Sequence, residues 1–177
     1  MKKSRLNLLC FCVIFIFTIC TSCNGTSKEK DFSKAGATIT LNENFTEKKV
    51  ETATAYFESN NAVVTFFKED FTLFEDRGVP ADFTLKEYAE LILTANLIEA
   101  EIESGGDLTS FVYEKQDSSE IEYTHYATVF ESEDAYWLVQ FVCEKKDFEK
   151  LKPQFEHWAK SVRFTLDMDS FDSSVIE

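Results

Sequence analysis

The 177 residues carry 18 Lys plus Arg against 32 Asp plus Glu, a formal charge of -14, with 44% hydrophobic and 15% aromatic residues and only five Gly and two Pro. This balance excludes a nucleic-acid partner, which requires clustered cations, and argues against disordered, collagenous or repeat architectures. Eighteen Phe are ample for a single core.

Lys2, Lys3 and Arg5 precede the apolar run Leu8 to Ile19, in which Thr18 is the only clearly polar residue, and small polar Thr21 and Ser22 follow. Positive start, short apolar stretch and small-residue exit predict a secretion signal over 1–22, the stretch being shorter than the ~20 residues that span a bilayer. The segment Ile19-Cys20-Thr21-Ser22-Cys23 resembles the lipobox of bacterial lipoproteins, with Cys20 standing where an aliphatic residue is usual. That resemblance implies cleavage before Cys23, diacylglycerol on its sulfur, and a membrane-anchored protein on the extracytoplasmic face. Lipidated Cys23 and the polar, small residues up to Gly36 are expected to form a flexible tether (23–36) reaching ~20 Å. Loss of Lys2, Lys3 and Arg5 lowers the basic count from 18 to 15 while all 32 acids stay. Anionic headgroups repel such a body, so lipid rather than charge must hold it at the membrane. Cys10, Cys12 and Cys20 leave with the signal and Cys23 carries lipid, so Cys143 has no intramolecular disulfide partner. Ending the apolar run from Tyr136, it is expected to be a buried, inert thiol.

The globular domain is expected over 37–166. Strands are predicted over Ala37 to Leu41, Glu51 to Glu58 and Ala62 to Lys68, the last two joined as a hairpin by Ser59-Asn60-Asn61. Phe71, Leu73 and Phe74 lie in a short irregular or helical piece ending at Gly78. Thr84-Leu85-Lys86-Glu87 is a capping-box pattern, and apolar residues at spacings of three and four predict a helix from Leu85 to about Leu97. Four extended segments follow as consecutive antiparallel neighbours: Glu99 to Ser104, Leu108 to Glu114, Glu120 to Glu131 and Ala135 to Cys143. In the first, Glu99, Glu101 and Glu103 alternate with apolar residues and mark an edge or a solvated face. The last is apolar on both sides, so it requires cover above and below. The Leu85 helix and a second one over Phe148 to Val162, truly starting near Lys152 because of Pro153, are placed to supply it. Arg163 to Leu166 closes the domain, and 167–177 reads as an acidic, loose tail. The fold class is α+β, an antiparallel sheet covered by helices on both faces.

The order of elements, together with the segments Asp134-Ala135-Tyr136-Trp137-Leu138-Val139-Gln140-Phe141 and Pro153-Gln154-Phe155-Glu156-His157-Trp158-Ala159-Lys160-Ser161-Val162, resembles bacterial lipoproteins of the PsbP-like superfamily. That superfamily includes the photosystem PsbP subunit and eukaryotic Ran-binding proteins. The resemblance covers roughly Thr38 to Phe164 and implies a three-layer α/β/α sandwich without enzymatic activity. It carries over no site residues.

The residues themselves point to little chemistry. Gly25, Gly36, Gly78, Gly105 and Gly106 form neither a dinucleotide fingerprint nor a P-loop, and His125 and His157 belong to no metal-ligand spacing. His125, beside Tyr123 and Tyr126 in a strand, reads as a hydrogen-bonded sheet histidine, and His157 as a solvated helix residue. The acid groups Glu99, Glu101, Glu103 and Asp107, and Asp167, Asp169 and Asp172, lack EF-hand order and read as solvated charge rather than a calcium site. Tyr136, Trp137, Phe141, Phe155 and Trp158 read as core before groove. No catalytic, cofactor-binding or metal-binding residue is assigned, and Cys23 is the lipid-attachment site. The expectation is an extracytoplasmic lipoprotein whose domain binds a protein or small-molecule ligand and no nucleic acid. The competing expectations are a cell-envelope hydrolase with unrecognised acidic residues and a structural envelope component.

Overall fold

The computed structural model describes residues 28–165. The signal, Cys23, the start of the tether and the acidic tail lie outside the described residues. Within them the chain runs β1 (Glu29–Lys34), β2 (Ala37–Asn42), β3 (Thr46–Lys48), β4 (Ala55–Glu58), β5 (Val63–Asp70), α1 (Phe71–Glu75), α2 (Leu85–Ala95), β6 (Ile102–Glu103), β7 (Thr109–Gln116), β8 (Glu122–Glu131), β9 (Ala135–Glu144), α3 (Phe148–Lys160) and β10 (Arg163–Phe164).

The strands form two antiparallel sheets rather than one, a small sheet in the order β1-β2-β10 and a large one in the order β3-β4-β5-β9-β8-β7-β6. The expected chain of neighbours from β6 to β9 is present, and β6 occupies the sheet edge that its alternating acids indicated. Strand β1 corrects the tether. Residues 29–34, read as flexible coil, pair with β2 from Glu29↔Asn42 to Lys34↔Ala37. Ala35 and Gly36, at φ 50° and 83°, make the two-residue turn whose left-handed conformations match the strand twist. Only Phe32 of β1 turns inward, lying 5.1 Å from the Phe57 ring, so one apolar side chain amid charge marks this strand.

The large sheet is buried unequally on its two faces. On one, Trp137, Val139, Phe141 and Cys143 of β9 join Phe155, Trp158 and Ala159 of α3 and Ile39 and Leu41 of β2 in one apolar cluster. Its cover is therefore a helix together with the small sheet, where the sequence suggested a helix alone. On the other face Tyr136 joins Phe74 of α1 and Tyr88, Ala89, Ile92 and Leu93 of α2. Here the cover thins: Leu138, Gln140 and Val142 of β9 are only half-buried, so the expectation of a strand fully covered twice holds for one face only.

Helix α3 also departs from expectation, starting at Phe148 with Pro153 inside it rather than near Lys152. Proline removes one bond to the Glu149 carbonyl, and both residues are exposed, so water can take its place. Burial of Phe148, whose ring lies 6.5 Å from that of Phe155, holds the first turn in place. Helix α2 starts as predicted, with Thr84 and Glu87 in a reciprocal capping box. It stops at Ala95, two residues early, because Leu97 turns left-handed at φ 54° and the Ile98 N-H bonds back to the Leu93 carbonyl.

Candidate functional site

Directly paired residues of neighbouring strands point to the same face of a sheet. The pairs Thr65↔Gln140, Phe67↔Leu138, Ala127↔Gln140, His125↔Val142 and Tyr113↔His125 therefore place these side chains together, on the face that carries α2. The helix covers only part of it. Along its C-terminal half a groove of about 340 Å³ remains between helix and sheet, with Phe67, Leu138, Gln140, His125 and Tyr113 on the sheet side. Tyr88, Ile92, Asn96 and Ile98 form the helix side. The left-handed turn at Leu97 is what brings Ile98 back toward the sheet, and the Asn96 amide, donating to the Ile92 carbonyl at 2.9 Å, closes the helix end.

The two charged residues of the groove are far apart. Glu69 pairs with Tyr136, whereas Lys115 pairs with Tyr123, itself opposite Glu144, so carboxylate and ammonium belong to opposite ends of the strands. The Tyr88 hydroxyl donates to Glu69 Oε2 at 3.0 Å. Burial first, then the negative charge of Glu69, pushes the Tyr88 hydroxyl far above its ordinary range and keeps it a donor. At the other end the Gln140 amide donates to the Tyr113 hydroxyl at 3.0 Å, and the His125 ring stacks on Tyr113 with centroids 4.5 Å apart.

His125 is thus brought into the groove. Burial and then the nearby Lys115 charge lower its pKa from 6.5 to about 4, against a smaller opposing pull from Gln140, so the imidazole is neutral at physiological pH. The hydrogen bond expected for it is missing at Nδ1, which is buried without a partner among the described residues. Stacking on Tyr113 supplies the packing instead. Thr65 Oγ1, opposite Gln140, is likewise buried and unpartnered.

The other residues singled out from the sequence lie elsewhere. Cys143 is buried in the opposite cluster, and burial, with Asp147 and Glu144 nearby, pushes its thiol up to about 11, which suits an inert group. His157 is exposed on α3, with Nε2 3.4 Å from Glu29. Glu99, Glu101, Glu103 and Asp107 form no metal-binding group, and no cluster of three or more His, Cys, Asp or Glu suited to a metal occurs among the described residues. Trp137, Phe141, Phe155 and Trp158 are core on the far face, whereas Tyr136 lies beneath Tyr88 at 4.6 Å. Sequence reading missed Glu69, Tyr88, Asn96 and Tyr113 as site residues. The alternation Thr65, Phe67, Glu69 and the periodicity of α2 indicated their faces, but which part of a face a helix leaves open is decided by its end.

No protein-family model matches the chain, and no curated protein matches it. Among solved structures it is similar to cyanobacterial PsbP from Synechocystis, at 13% identity and a TM-score of 0.53 over 81% of this chain and 98% of that one. It is also similar to a protein from Bacteroides thetaiotaomicron, at 13% identity and a TM-score of 0.50 over 80% of this chain, which spans 49% of the length of that one. At such identity the likeness speaks to architecture alone, and the architecture of residues 28–165 is the PsbP-like fold.

Proposed function

We propose that the protein is a lipid-anchored, extracytoplasmic binding module, held to the membrane through Cys23 and taking a small ligand in the groove under α2. The groove carries this reading: a concave, largely apolar and aromatic site with a few polar groups is the usual form of a small-molecule site. Among the described residues no Ser, Thr or Cys lines it, and its histidine stacks on a tyrosine rather than facing a nucleophile, which favours binding over catalysis. The finer layering, helix on sheet on helix with β1, β2 and β10 beside α3, belongs to the same proposal and leaves the groove on the face opposite the small sheet. The chain would enter through β1, with five residues between it and Cys23, so the anchor would hold the domain within about 20 Å of the headgroups even when those residues are fully extended.

Two experiments test the reading. Labelled palmitate should enter the wild type and not Cys23→Ala; label that persists in the variant refutes the anchor. Titration of the isotope-labelled chain with 2-phenylethanol should shift backbone signals of Phe67, Tyr113, His125 and Leu138 saturably. Asn96→Trp, which places an indole at the exposed helix end, should abolish those shifts. Shifts spread over the surface, or unaltered in the variant, refute the groove.

A further inference from the structure

We propose that the ligand of the groove is a small organic ammonium ion, a protonated amine on an apolar or aromatic body, with its cation seated against Glu69. This rests on the reading of the groove as a binding site and adds the chemical class of its occupant.

Glu69 is exposed at the groove's rim, but one of its carboxylate oxygens is held in place. Its carboxylate is held by the hydroxyl of Tyr88, a residue 1% exposed whose ring stacks on buried Tyr136, so a rigid pair of aromatics fixes an anionic oxygen at the groove's rim. Among the described residues Glu69 enters no ion pair. The adjacent cation, Lys68, projects to the other face of the strand, where Asp70 and Asp134 hold it at 2.7 and 2.6 Å. An anionic acceptor with a free oxygen beside apolar and aromatic walls is complementary to an ammonium group, through charge-assisted hydrogen bonding and attraction to ring faces.

The remaining charges fix the direction. Lys115 stands at the opposite end of the groove, above the Tyr113 ring, where it would repel a cation. The amine is therefore directed to Glu69, and the apolar body lies over Phe67, Leu138 and Ile92 toward the stacked Tyr113 and His125. The neutral imidazole of His125 adds no second positive charge there. The acidic surplus of the whole chain further favours the approach of cations over anions.

The test uses the full chain in non-ionic detergent at neutral pH, titrated separately with 2-phenylethylamine, 2-phenylethanol and 3-phenylpropionate, which share one ring and differ in charge. The amine should bind roughly threefold more tightly than the alcohol, the size of an ion pair to a solvent-exposed carboxylate, and the carboxylate more weakly than either. Glu69→Gln keeps an acceptor for Tyr88 but removes the charge; it should bring the amine to the affinity of the alcohol and leave the alcohol unchanged. Equal affinities for amine and alcohol in the wild type, tighter binding of the carboxylate, or an amine preference that survives Glu69→Gln would overturn the ammonium assignment while leaving the groove standing. Saturable shifts from none of the three would overturn both.

Discussion

Acid should weaken this domain partly through one side chain, His125. In the fold its pKa is about 4 against an ordinary 6.5, so the unfolded chain binds the proton more tightly. The stabilisation from keeping it neutral is therefore fully present above pH 6.5 and is lost as the pH falls from there through about 4. A drop of that size corresponds to about 3 kcal/mol at most, and because the ring is only half-buried, solvent screening reduces the expected effect to ~1–2 kcal/mol. The comparison that isolates it is wild type against His125→Phe, which keeps an aromatic ring on Tyr113. Urea unfolding of both, from about pH 7.5 to about pH 4.5, exposes the carboxylates common to the two chains equally. The wild type should lose ~1–2 kcal/mol more than the variant over that range. Parallel stability curves would mean that His125 is solvated in the fold, and would refute both its burial and the close Lys115 charge.

Other perturbations follow from particular residues. Leu97, left-handed at φ 54° and 92% exposed, occupies a position where glycine is free of strain, so Leu97→Gly should raise stability by about 1 kcal/mol in urea unfolding. Phe155 is fully buried between Phe141, Phe148 and Trp158, and Phe155→Ala should cost ~3–5 kcal/mol by the same measurement. A loss below about 1 kcal/mol there would mean that α3 is not packed on the sheet as described.

Much of the architecture could be read locally. The Thr84–Glu87 capping box, the turn before Val63 and the doubly apolar β9 each carry their signal within a few residues, because caps, turns and alternation are short-range physics. Strand β1 and the first turn of α3 escaped for the opposite reason. Strand β1 is charged at most positions and is a strand only because β2 offers a partner and Phe57 a surface for Phe32. Pro153 reads as a helix breaker, yet burial of Phe148 outweighs one missing hydrogen bond on a wetted side.

The sequence by itself determined the acidic charge, the α+β class and the burial of one face of β9, since composition and periodicity are properties of the chain. The groove was decided by tertiary structure. Glu69, Tyr88, Tyr113, His125 and Gln140 come from five different elements, and no spacing along the chain relates them. Antiparallel register sets the four strand residues on one face, and the end of α2 at Ala95 leaves that part of the face open, because a helix can cover no more of a sheet than its length allows.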